Sequence, residues 1–154
     1  MTITAWRIFK SQHEVSAFTG EGARLYGGRW NSHGTAIVYT AGTASLAVLE
    51  LLVHIASPKV LDAYSLCEVT FADTLVETIG IRDLPSNWSA DPAPWELKRL
   101  GDSWATQNTS AVLQVPSAIV ESEVNFLLNP AHADFSSIRI GPARPHRFDP
   151  RLMR

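Results

Sequence analysis

A chain of 154 residues, 45% of them apolar, has the length of one domain over 1–154 and can bury a core without metal or disulfide staples. Its formal net charge of −2 argues against a general nucleic-acid binder, and its single cysteine, Cys67, excludes an intrachain disulfide. No apolar run reaches the ~18 residues that span a bilayer, and "MTITAWRIFK" lacks the features of a signal peptide, so a soluble protein in a reducing, cytoplasmic setting without membrane contact is expected.

In chain order, "ITAWRIF" alternates and predicts an N-terminal strand. Gly20–Gly34 holds five glycines and predicts loop. Inside it, "GARLYGGRWN" sets Arg24 and Arg29 beside flexible backbone. Two nucleotide templates fail on this loop. Gly22 and Gly27 have P-loop separation, but Gly28 and Arg29 stand where Lys and Ser/Thr are required. Gly20 and Gly22 begin a dinucleotide fingerprint, but Leu25 holds its third glycine position. Two guanidinium forks suited to phosphate remain; on its own the loop reads rather as a turn with two solvated arginines. Trp30, inside it, reads as a wall of a ligand cleft.

"TAIVYTA" predicts a short buried strand ending near Tyr39. "TASLAVLELLVHIASP" predicts a helix capped by Thr43 or Ser45, with Pro58 closing the region. Glu50 is the only formally charged residue between Arg29 and Lys59. A helix apolar nearly all round is buried, and a carboxylate is rarely buried unless paired or used. Ala47 and His54 share its face at helical spacing. Two readings are open: a buried ion pair, for instance with Arg29, or a carboxylate that stabilises developing positive charge or acts as a base.

"AYSLCEVTF" and "TLVETI" predict strands, "PSNWSADPAPW" a connector, and "PWELKRLGDSWATQN" a helix that Gly101 weakens. "AVLQVPSAIV" predicts a strand broken at Pro116, where the Ser117 hydroxyl is free to point into a cleft. Alone, Ser117 is an ordinary loop serine, since no Gly-x-Ser-x-Gly elbow is present. "ESEVNFLLNP" predicts one or two turns of helix, with Asn125 and Asn129 in capping or turn roles, and "FSSIRI" a last strand. The five histidines have no ligand spacing with one another or with Cys67, so no metal site is expected. The last sixteen residues, Arg139 to Arg154, carry five arginines and one acid (+4), against eight basic and fourteen acidic residues (−6) before them. This tail reads as solubilising, or as a surface for an anionic ligand or acidic partner. The order is that of an α+β domain, not of a doubly wound sheet.

"GARLYGGRWNSHGTAIVYTAGTASLAVLELLVH", "RLGDSWA", "VPSAIV", "NFLLNPAH" and "FDPRL" together resemble the RES domain, over roughly Trp6 to Leu152. That family, named for its Arg, Glu and Ser residues, supplies toxins of bacterial toxin–antitoxin pairs with Xre-type antitoxins. The resemblance implies a single α+β domain related to ADP-ribosyltransferases, with a mixed sheet core and flanking helices. It also implies an activity on NAD as substrate: cleavage of the nicotinamide–ribose bond by water or phosphate, or transfer of ADP-ribose to a protein. A non-enzymatic binding module is the third reading.

Carried over by motif, the catalytic positions are Arg29, Glu50 and Ser117. Substrate binding falls to Tyr39, Asn125 and Arg24, with the phosphate contact undivided between Arg24 and Arg29. No cofactor or metal is implied. The expected partner is an Xre-type antitoxin in a hetero-oligomer, and that antitoxin carries any nucleic-acid contact. The chemistry agrees with the residue types. Loss of nicotinamide leaves a cationic ribose, which a carboxylate stabilises more in the transition state than in the ground state.

Overall fold

Alternation along the first strand is the clearest sequence signal, and it produces the longest ladder. β1 (Thr2–Lys10) pairs antiparallel with β3 (Tyr64–Ala72) from Thr2↔Ala72 to Lys10↔Tyr64. The computed structural model describes residues 1–55 and 63–153. The remaining strands are β2 (Val38–Ala41), β4 (Val76–Thr78), β5 (Val112–Pro116), β6 (Val124–Leu128), β7 (Arg139–Ile140) and β8 (Arg144–His146). They form one mixed sheet in the order β4-β5-β6-β2-β1-β3-β7, with β8 also on β3. Among the described residues only β4 and β5 pair in parallel. Among the described residues three α-helices accompany it: α1 (Glu21–Tyr26), α2 (Ala44–Leu52) and α3 (Trp95–Gln107). The α+β class and the mixed sheet with flanking helices are as expected.

Side chains alternate across the sheet, so each face gathers its own core. On one face Leu113, Val115 and Leu127 pack with Trp30, Trp88, Leu97 and Trp104, which brings α3 and the glycine-rich loop onto the sheet. On the other, Val112, Phe126 and Leu128 pack with Ala5, Val38, Val69 and Phe71.

Several expectations are corrected. "ESEVNFLLNP" is strand, not helix: β6 pairs with β2 and β5, and Phe126, Leu127 and Leu128 are all buried because both faces are covered. A short continuous apolar run does not distinguish a covered strand from a buried helix. The Gly20–Gly34 loop contains the short helix α1, entered and left through Gly20 and Gly27 at φ +75 and +73. α2 is capped by Thr43, whose Oγ1 accepts from the Leu46 amide at 3.0 Å. It is not buried all round, since Leu49 and Val53, which follows the helix, are 38% and 59% exposed. The predicted closure at Pro58 lies outside the described residues. Gly101 has a packing reason, because a Cβ there would lie 1.7 Å from the Trp30 carbonyl oxygen. The arginine-rich C-terminal stretch is pinned along β3 through β7 and β8; Arg154 lies outside the described residues.

Candidate active site

The sheet face that carries α3 also holds the site. Register places Asn125 of β6 beside Ala41 of β2 and Val115 of β5. Tyr39 stands two residues earlier on β2, on the same face. Over this floor lies a cleft of about 850 Å³, walled by α2 (Ala47, Glu50) and His54 on one side and by Gly27, Gly28 and Arg29 on another. Ala47, Glu50 and His54 therefore share one face, as helical spacing predicts.

Glu50 is half-buried, and its partners among the described residues are neutral donors rather than the cation of the ion-pair reading. Its Oε1 accepts from Asn125 Nδ2 at 2.8 Å and from Ser117 Oγ at 3.1 Å. Among the described residues it forms no ion pair, with Arg29 or any other cation. Both donors act on the same oxygen, which leaves Oε2 without a partner among the described residues. A carboxylate oriented by two neutral donors keeps its negative charge available to whatever enters the cleft.

Ser117 lies behind the wall rather than in it. It is fully buried and does not line the cleft. Its hydroxyl donates to Glu50 and accepts from the amides of Ile119 and Val120, at 3.1 Å each. This local turn fixes the rotamer that reaches the carboxylate. The geometry makes Ser117 a support for Glu50.

Arg29 is anchored by the connector before α3. Its Nη1 donates to the carbonyls of Trp88 at 3.1 Å and Ala90 at 2.9 Å, leaving Nε and Nη2 without partners among the described residues. Arg24 is elsewhere: on α1 it pairs with Glu21 (Nη2–Oε1 2.6 Å), is exposed, and does not line the cleft. The structure thus separates the two arginines that the sequence left undivided.

Tyr39 lines the cleft, but its hydroxyl is committed to the loop. It donates to Asn31 Oδ1 at 2.6 Å and accepts from the Trp30 amide at 3.0 Å. Burial pushes the phenol well above its ordinary range, so it keeps its proton and its donor role. Gly28 passes directly over this ring; a Cβ there would lie 2.7 Å from the hydroxyl.

Sequence reasoning missed three contributors. Asn31 is fully buried and ties the loop together, its Nδ2 donating to the carbonyls of Ala23, Ser32 and Thr35 at 2.8, 3.1 and 3.1 Å. Arg7, on β1, lines the cleft and donates to the carbonyls of Ala17 at 2.6 Å and Tyr39 at 2.9 Å. Burial pushes its guanidinium down to about 10, so it stays charged at neutral pH. Lys98 of α3 also lines the cleft and donates to the Gly28 carbonyl. An arginine within an alternating strand and a lysine within an amphipathic helix carry no local mark of such roles. For Asn31 the only available signal was its place in the glycine-rich loop.

Known proteins resemble this chain in sequence and in fold. The profile of the RES domain matches residues 4–149. A Toxin Res of Yersinia enterocolitica is 40% identical over 149 residues, which cover 96% of this chain and 97% of that protein. A Prs ADP-ribosylating toxin of a Sphingobium species is 39% identical over 160 residues, covering 100% and 99%. Among solved structures, a chain of the M. tuberculosis MbcT–MbcA toxin–antitoxin complex superposes with a TM-score of 0.77, covering 95% of this chain and 85% of that one. At 18% identity, that likeness is one of fold.

Proposed function

The chain belongs to the RES domain family, and from that premise we propose that it is the toxin of a toxin–antitoxin pair and acts by breaking the nicotinamide–ribose bond of NAD. The observation that carries this reading is Glu50, which lines the cleft with its Oε1 held by Ser117 and Asn125 and its Oε2 without a partner among the described residues. NAD enters as substrate, not as a resident cofactor. Arg29, whose Nε and Nη2 have no partner among the described residues, takes the pyrophosphate. The C1′–N bond breaks and nicotinamide leaves neutral with the electron pair. The ribose becomes cationic, and Glu50 stabilises that charge where it develops. The oxygen of water or phosphate then bonds to C1′; with water, the released proton passes to Glu50 or to solvent.

A second reading shares every step but the last, with a protein side chain as acceptor. The Prs ADP-ribosylating toxin, similar over the full length of this chain, supports it. An Xre-type antitoxin is the proposed partner, and the toxin–antitoxin complex of shared fold is consistent with one.

One experiment separates the acceptors. Protein freed of antitoxin is incubated with NAD, with and without phosphate and with cell extract, and the products are resolved by mass spectrometry. ADP-ribose indicates hydrolysis, ADP-ribose 1″-phosphate phosphorolysis, and a modified polypeptide transfer. Intact NAD in every arm refutes the proposal.

A further inference from the structure

Helix α3 meets the glycine-rich loop through one stripe of residues. Lys98, Gly101 and Asp102 stand at i, i+3 and i+4, so they share a helix face. Asp102 Oδ1 accepts from the Ser32 amide at 2.9 Å, Gly101 lies flat against the Trp30 carbonyl, and Lys98 Nζ donates to the Gly28 carbonyl. Two of these contacts are ordinary packing. The third differs, because a Lys ammonium carries three N–H donors and Gly28 accepts one. Lys98 is half-buried, lines the cleft, and forms no ion pair among the described residues. The peptide that anchors it is the one that leads directly into Arg29.

We propose that Lys98 is a further phosphate-binding cation of the substrate cleft, held by the Gly28 carbonyl and binding the phosphates of a dinucleotide alongside Arg29. The inference rests on the NAD reading for the identity of the substrate, but its chemistry is that of any diphosphate. A carbonyl partner suits the task. It fixes the position of Nζ without neutralising it, as an acidic partner would. The two remaining N–H groups are then available to an anion entering the cleft.

The test compares the wild type with Lys98→Gln and Lys98→Arg by calorimetric titration with NAD, ADP-ribose and inorganic pyrophosphate. Thermal unfolding is recorded for each. The expected result for Lys98→Gln is about tenfold weaker binding of all three probes, with most of it restored by Lys98→Arg. KM for NAD should rise by a similar factor while kcat holds. Unchanged affinity for pyrophosphate in a folded Lys98→Gln protein overturns the proposal. So does a fall in kcat at constant KM, which would mark a residue that acts only by holding the loop. Pyrophosphate binding that depends on Lys98, in a wild type that binds neither NAD nor ADP-ribose, supports the anion site and refutes the NAD reading instead. A wild type that binds none of the three probes overturns both.

Discussion

Replacing Ser117 with alanine removes a hydroxyl that makes three hydrogen bonds of 3.1 Å, two from backbone amides and one to Glu50. A neutral hydrogen bond contributes about 1 kcal/mol net, and one to a charged group somewhat more. Ile119 is exposed and Val120 only half-buried, so water reaches part of the freed backbone and the loss stays near the lower bound. We expect Ser117→Ala to destabilise the fold by about 2–3 kcal/mol, a fall in Tm of about 5–10 °C for a domain of this size. Asn125 remains on Oε1, so Glu50 keeps one of its two donors. A positioned carboxylate that loses one support should lose about tenfold in kcat, or about 1.4 kcal/mol, with KM for NAD little changed. Urea titration gives the first number and nicotinamide release under steady-state conditions the second. The reasoning fails if Ser117→Ala is as inactive as Glu50→Ala while its Tm stays at the wild-type value. Ser117 would then act on the substrate directly rather than through Glu50.

Glu50→Gln keeps the side chain's shape and removes its charge; turnover of NAD should drop by about 10²–10³ with binding retained, read by product formation beside calorimetry. Gly101→Ala cannot be accommodated with its Cβ 1.7 Å from the Trp30 carbonyl oxygen, and should cost more than about 3 kcal/mol or abolish soluble expression, whereas Gly22→Ala, with nothing within 4 Å of the new atom, should be tolerated. Tyr39→Phe strands the buried Asn31 Oδ1 and should cost about 2 kcal/mol in urea titration. Because burial raises the Tyr39 phenol above its unfolded value, the unfolded chain ionises first. Wild-type stability should therefore fall as pH climbs past about 10, and Tyr39→Phe should flatten that fall in alkaline titrations. Cys67 is 2% exposed, with its thiol raised by burial; a thiol reagent at neutral pH should label it only on unfolding, and rapid labelling of the native protein would contradict the packing of β3.

Glu50 was legible in the sequence because a lone carboxylate in an apolar helix demands an explanation. Its partners were not legible. Ser117 and Asn125 lie 67 and 75 residues away, and only strand register brings them to it. The reading of β6 as helix hid this most directly, since Asn125 on a helix would not stand opposite Ala41. The glycine-rich loop was visible as a loop from composition. Its two arginines could be separated only once α1 had carried Arg24 outward onto Glu21 and the Trp88–Ala90 connector had captured Arg29. The ion pair suggested between Arg29 and Glu50 followed sensibly from burial costs, and neutral donors met that demand instead.

The separation of Glu50 from the residues that orient it fixes when the chain becomes chemically competent. A ribosome adds about 5–20 residues per second, so Asn125 is made roughly 4–15 s after Glu50. The β2–β6 ladder that delivers it cannot close until Val124–Leu128 has left the exit tunnel. Before that pairing Asn125 is not in place to donate to Oε1 of Glu50 on α2. A truncated product ending before β6 carries the arginine, the tyrosine and the glutamate but not the arrangement, so aborted translation yields fragments without a built site. The order of the strands acts as a timer: it postpones the completed carboxylate site until β6 has been made and paired.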